Sequence, residues 1–337
     1  MCLAACSPSR SQTLDSGGGP RRDAPALARP DAAAVDAEGG NATLPADATG
    51  KATTGDDALA AADADSDAEA EAEADVAAAA DAGPTLDAED ARPAERPIRV
   101  GFYQARGVSE DALQQAMLVL RTAGGFDVAV LAPEQIRGGA LADQDVAVFS
   151  GGIGSTQGAL LELAGRRVVR EFVAGGGGYV GICAGSYLAI QGPPQYNHVA
   201  IVAARNWSDD AWKRGVAMLE VRPVGGGDSF RLFYANGPVF RRDTAEGLAP
   251  FVPLAEFVSD KYCLSCGTQP GELPGTPAIL AASYRAGRIL LFSPNPVLAQ
   301  GTDAPHPELF VAAVRWAAER GTVPASLRWN DVFPEKR

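Results

Sequence analysis

Residues 176–187 read Gly176-Gly177-Gly178-Tyr179-Val180-Gly181-Ile182-Cys183-Ala184-Gly185-Ser186-Tyr187. Tyr179 to Ile182 is a short apolar run behind a glycine stop, the pattern of a buried strand, and it leads straight into a helical segment. At the junction, Gly181-Ile182-Cys183-Ala184-Gly185 has the G-x-nucleophile-x-G form of a nucleophile elbow. A tight strand-to-helix turn forces the central residue into a strained backbone conformation, and side chains two positions away would collide with it, hence glycine at both. The same turn sets the sulfur at a helix N-terminus, where the dipole and free amides favour thiolate over thiol. Cys183 is therefore a candidate nucleophile; a buried cysteine whose glycines merely allow close packing is the alternative.

Upstream of this turn, Ile98 to Tyr103 reads as a strand after the proline and arginine cluster Arg92 to Pro97. Helical spacing follows from Ser109 to Ala123, with Ser109 as N-cap and Gly124-Gly125 as the stop. Phe126 to Leu131 and Asp145 to Phe149 are the next strands, with a polar loop between them, and Gln157 to Ala174 is a helix. Continuous apolar strands alternating with helices predict an α/β fold, a mostly parallel sheet covered on both faces. Ligands of such a sheet gather at the carboxyl ends of its strands, where Gly107, Gly151 and Cys183 fall. The second half has candidate strands at Val216 to Arg222, Phe230 to Tyr234, Leu254 to Val258, Ala278 to Tyr284 and Ile289 to Ser293. With few helical patterns between them they predict an antiparallel extension, closed by an amphipathic helix from Pro307 to Arg320.

A second glycine loop, Ser150-Gly151-Gly152-Ile153-Gly154-Ser155, follows the third strand. Its glycines let backbone amides approach a ligand, and an amide at Gly152 or Ile153, with that of Ala184, would make an oxyanion hole for an acyl-transfer intermediate. A plain flexible loop would be equally glycine-rich.

These residues carry a resemblance. Tyr103 with Gly107-Val108-Ser109, the loop at 150–154 and the run 176–187 resemble the biotin-protein ligase N-terminal domain family. Trp212-Lys213-Arg214-Gly215, Tyr234-Ala235-Asn236-Gly237-Pro238, Pro274-Gly275-Thr276-Pro277-Ala278 and Gly287-Arg288-Ile289-Leu290-Leu291-Phe292-Ser293-Pro294 follow in that family's order. The resemblance covers about 97–320 and implies a class I glutamine amidotransferase-like domain, a flavodoxin-like three-layer sandwich, whose active relatives use a Cys-His-Glu triad. It also places Asn236 and Asn295 at the pocket. No ligase catalytic domain follows, so ligase activity is not expected.

The departure from the family pattern is at the base. Where the superfamily reads Ser-Pro-His-Pro-Glu, this chain has Ser293-Pro294-Asn295-Pro296-Val297. An amide has no basic nitrogen to take a thiol proton, and valine cannot orient an imidazole. The chain holds 2 histidines, His198 and His306. His306-Pro307-Glu308 repeats the lost motif at the start of the closing helix, as a relocated base with its partner Glu308 or as a plain helix start with Pro307 in the first turn. His198 follows the Gly192-Pro193-Pro194 turn, as a recruited base or a satisfied loop histidine.

Composition divides the chain at about residue 96. Residues 1–96 hold 20 acidic and 7 basic residues, whereas 97–337 hold 22 of each, so the formal charge of −13 belongs wholly to the first part. A neutral domain without a Lys/Arg-rich block gives no electrostatic reason to expect nucleic acid. Asp56 to Asp81 largely alternates Ala with Asp or Glu and has no aromatic residue, so it cannot bury enough apolar surface to offset its conformational entropy. Residues 7–96 are expected to be a disordered acidic tether or partner-binding tail. Leu3-Ala4-Ala5-Cys6 resembles a lipoprotein lipobox, which would make residues 1–6 the remnant of a signal, Cys6 an acylation site and the protein a lipid-anchored one of the bacterial cell envelope. The alternative is a cytoplasmic chain with a chance match. No run approaches the ~18 apolar residues of a membrane-spanning helix.

Cys263 and Cys266 form one C-x-x-C pair, half of a Cys₄ zinc set, without a histidine nearby in sequence. A local disulfide suits an exported protein and free thiols a cytosolic one. Neither a metal nor a cofactor is expected. Two functions compete: a binding module or degenerate enzyme that keeps the elbow without its base, and an atypical cysteine amidase or hydrolase using Cys183 with His306 or His198. Either would take a small amide- or ester-containing ligand. A redox-sensing Cys183 is a third option.

Overall fold

The computed structural model describes residues 96–334; the expected lipobox, Cys6 and the acidic tether lie outside them. The strands are β1 Ile98–Tyr103, β2 Phe126–Leu131, β3 Val146–Phe149, β4 Gly178–Ile182, β5 Ala204–Asn206, β6 Val216–Pro223, β7 Phe230–Ala235, β8 Phe240–Arg242, β9 Val252–Phe257, β10 Pro277–Tyr284 and β11 Gly287–Phe292. The helices are α1 Glu110–Ala123, α2 Pro133–Arg137, α3 Gly154–Ala174, α4 Ala184–Ala189, α5 Pro307–Ala318 and α6 Trp329–Val332.

Nine strands form one sheet in the order β2-β1-β3-β4-β11-β10-β9-β6-β7. The first five run parallel, and from β11 onward every pairing is antiparallel. This is the mostly parallel α/β sheet with an antiparallel extension that the apolar runs predict. One strand changes sides: β11, expected in the antiparallel extension, pairs parallel with β4, Phe292 beside Ile182. Its apolar run, buried throughout apart from Arg288, suits the centre of a sheet covered on both faces.

Alternation within each strand divides the core in two. Val100, Phe102, Val146, Val148, Val180, Ile182, Leu290 and Phe292 face α1 and α5. Tyr103, Ala147, Phe149, Tyr179, Ile289 and Leu291 face the other way, toward α3 and α4. In α1, Ala112, Leu113, Ala116, Met117 and Leu120 make the buried stripe, acidic residues occupy the first turn, and Gly124 at φ 69 ends the helix with its N–H on the Leu120 carbonyl. Ser109 holds the N-cap position without a side-chain capping hydrogen bond.

Three details depart from the sequence-based expectation. The polar loop between β2 and β3 contains α2 and a 3₁₀ turn at Ala140–Asp143, each anchored by one buried apolar residue, Ile136 and Leu141. The short β5 and β8 pair antiparallel as a separate two-stranded ladder. Helix α3 starts three residues early and breaks at Glu162, whose φ of 59° and ψ of 179° lie in a region ordinarily reserved for glycine. The carbonyls freed by the break are taken by arginines: Arg137 donates to Leu160 O at 2.8 Å and Arg166 to Gly158 O at 2.7 Å.

Candidate functional site

The elbow is formed at the end of β4. Cys183 has φ 51° and ψ −99°, a strained conformation for a residue with a side chain, and it caps the short helix α4. The turn is locked by Cys183 N donating to Phe292 O at 2.8 Å, and by the Ser186 hydroxyl lying 2.9 Å from Gly181 O and 2.8 Å from Phe292 O. Gly185 lies against the last carbonyl of β3: a Cβ there would overlap Phe149 O, a backbone atom that cannot swing away.

Backbone polar groups surround the sulfur. The N–H groups of Gly152 and Ala184 are directed at it, and the thiol donates to Ala235 O at 3.5 Å. Cys183 keeps part of its surface open to solvent. The surrounding protein nevertheless desolvates the sulfur enough to push the thiol up to about 11, the two amides opposing the shift only in part. The thiol, not the thiolate, is the form present at neutral pH.

The rest of the glycine loop is taken up in holding itself together. Ile153 N donates to Gly107 O at 2.7 Å and Ser109 N to Gly151 O at 2.9 Å, while the buried Gln157 amide lies 3.3 Å from Gly107 O and 3.2 Å from Ser150 O. Gly107 and Gly151 thus latch the loop. The amide of Ile153 is not free for an oxyanion, which leaves Gly152 and Ala184. At φ +134°, with the Gly107 carbonyl where a Cβ would be, position 152 admits only glycine.

Neither histidine accompanies the sulfur's polar contacts. Nδ1 of His198 is 2.7 Å from Tyr187 O, so it carries the proton, and Nε2 is buried against Gly192 without a hydrogen-bond partner. Burial lowers its pKa, the Tyr187 carbonyl opposing. Nδ1 of His306 lies 3.0 Å from Glu308 Oε1 at the start of α5, and the ring packs 5.1 Å from that of Phe230. Phe230 begins β7 and Ala235 ends it; at ~3.3 Å per residue the two are roughly 16 Å apart along the strand. The pair His306 and Glu308 therefore belongs to the far end of β7 from the thiol.

Asn295 is the residue that the sequence resemblance sets where a base would be expected. It is buried, its N donates to Phe233 O at 2.7 Å, and its Oδ1 accepts from Val297 N at 2.9 Å, closing a local turn. Asn236, at φ 56°, follows the carbonyl that meets the sulfur. Its Oδ1 accepts from both Arg214 N and Gly215 N at 2.7 Å, and its own carbonyl takes the Tyr187 hydroxyl at 3.2 Å.

Sequence reasoning missed what stands behind Asn236. The Arg214 side chain is only 1% exposed, with Nη1 2.6 Å from Glu272 Oε2 and Nε without a partner. The sole signal was the Trp212-Lys213-Arg214-Gly215 motif. Cys263 and Cys266 are joined in a disulfide. Among the described residues no group of three or more His, Cys, Asp or Glu side chains is arranged to hold a metal ion.

The parallel half-sheet, the helices on both faces and the strained cysteine between β4 and α4 define the class, an α/β domain with a mostly parallel sheet and a nucleophile elbow at the end of a central strand. Within it, residues 98–194 match the family described as biotin-protein ligase, N terminal. No curated protein matches the chain. Among solved structures, PurLQS from Thermotoga maritima is similar at 12% identity and TM-score 0.46, covering 66% of this chain and 97% of its own. A putative ThuA-like protein from Parabacteroides merdae is similar at 16% identity and TM-score 0.44, covering 68% and 93%. A cytoplasmic protein from Salmonella typhimurium gives 15% and 0.44, covering 66% and 100%.

Proposed function

We propose that the domain is a binding module, a degenerate amidotransferase-like site that holds a small amide- or ester-containing ligand against the Gly152 and Ala184 amides without turning it over. The observation that carries this reading is the partner of the thiol: Sγ donates to the Ala235 carbonyl, and neither imidazole is among its hydrogen-bond partners. A carbonyl oxygen cannot accept a proton and return it to a leaving group, so general-base activation has no agent. A cysteine amidase is the second reading, favoured by the two amides directed at the sulfur.

Incubation with a panel of chromogenic esters and primary carboxamides separates the two. A binding module retains ligands, by calorimetry, equally in the wild type and in Cys183→Ala, and releases no product above the background of that variant. Product release that disappears in Cys183→Ala overturns the proposal. The Leu3–Cys6 stretch supports a lipid-tethered module on the cell envelope; incorporation of labelled palmitate that is lost in Cys6→Ser tests this, and absence of label from the wild type counts against it.

A further inference from the structure

The carbonyl over the sulfur does not stand alone. Ala235 is followed by Asn236, whose left-handed backbone is held by the Arg214 and Gly215 amides on its side-chain oxygen. Those amides belong to a segment clasped from outside. Lys213 O lies 3.2 Å from the hydroxyl of the fully buried Thr268, and the same hydroxyl accepts from Cys263 N at 2.7 Å. Thr268 N donates back to Cys263 O at 3.2 Å. Glu272, which holds Arg214, also accepts from Gln269 N at 3.1 Å. The turn that presents Thr268 is cross-linked by the Cys263–Cys266 disulfide, and both half-cystines are partly open to solvent.

We infer that the Cys263–Cys266 disulfide is a redox latch on the nucleophile elbow: its reduction releases the Thr268 clasp, frees the segment from Lys213 to Gly215 and lets the Ala235-Asn236 carbonyl pair lift from Cys183. This rests on the proposed function for its meaning and on the hydrogen-bond relay for its mechanism. A small dithiol supplies the electrons. Its thiolate attacks one sulfur of the disulfide, the second thiolate resolves the mixed disulfide, and two cysteine thiols and one cyclic disulfide result. The sulfur is only partly open when the disulfide is formed and more reachable when it is reduced.

The readout is the rate at which iodoacetamide alkylates Cys183 in the full chain, followed by peptide mass spectrometry; the thiolate displaces iodide and forms the thioether. Cys263→Ser/Cys266→Ser is expected to react about tenfold faster than the oxidised wild type, equivalent to ~1.4 kcal/mol off the cost of opening. Asn236→Ala, which removes the relay's last link, raises the rate in the oxidised protein too. Where the double variant lacks a cooperative melting transition, the wild type is carried through dithiol reduction and reoxidation, and the acceleration must appear and then reverse. Rates that agree within about twofold in the two redox states, or an acceleration that reoxidation does not undo, overturn the latch. Those results leave ligand retention without turnover untouched, and Cys183-dependent turnover would remove the proposed function while leaving the latch standing.

Discussion

At the residue scale the site is decided by which atom each polar group already holds. Asn295 uses its side-chain oxygen to close its own turn on Val297 N. Asn295→Ala leaves that buried amide unpaired and is expected to cost ~1 to 3 kcal/mol, measured by urea unfolding. His198 makes a second residue-scale prediction. Its folded pKa lies below the ordinary 6.5. The unfolded chain therefore takes up the proton first, so this contribution is present above about 6.5 and is lost as the pH falls toward the folded value. His198→Gln should flatten the acid side of the stability profile over that interval, and an unchanged slope would show that the ring does not titrate there.

Elements show how far a sequence can be read. The elbow was legible because Gly181 and Gly185 flank a cysteine at the end of an apolar run, and close backbone approach leaves that mark at fixed spacing. Gly185→Ala must push against Phe149 O, so a loss of ~3 kcal/mol or more is expected in thermal or urea unfolding. The break in α3 left no comparable mark. Glu162 is a good helix former inside a helically spaced segment, and only the arginines that reach Leu160 O and Gly158 O make the break tolerable. Glu162→Gly removes the backbone strain and should raise stability by ~1 kcal/mol, despite losing an exposed pair with Arg137. Strands β5 and β8, at three residues each, are too short for a period of two to register. That the Ile153 amide is already held by Gly107 O depends on the chain folding back on itself, which no local pattern reports.

Across the whole domain, the parallel half supplies the elbow and the antiparallel half supplies its cover. Ala235 ends β7 at the far edge of the sheet and Asn236 follows it, while Cys183 sits at its centre. A buried arginine was not foreseeable from composition, since Arg is ordinarily exposed; the Glu272 carboxylate makes it stable here. Breaking that pair by Arg214→Met leaves Glu272 partly exposed and should cost less than Glu272→Gln, which strands a guanidinium in the interior. The disulfide closes so short a loop that its removal should lower global stability by only ~2 kcal/mol.

The pH dependence of Cys183 alkylation by iodoacetamide tests the base-free site most directly. The rate should still be climbing beyond the ~8.5 of a free thiol, following an ionisation near about 11. A plateau already reached at neutral pH, with reactivity above that of a free thiol, would mean that a base or a stabilised thiolate is present, and would contradict the account.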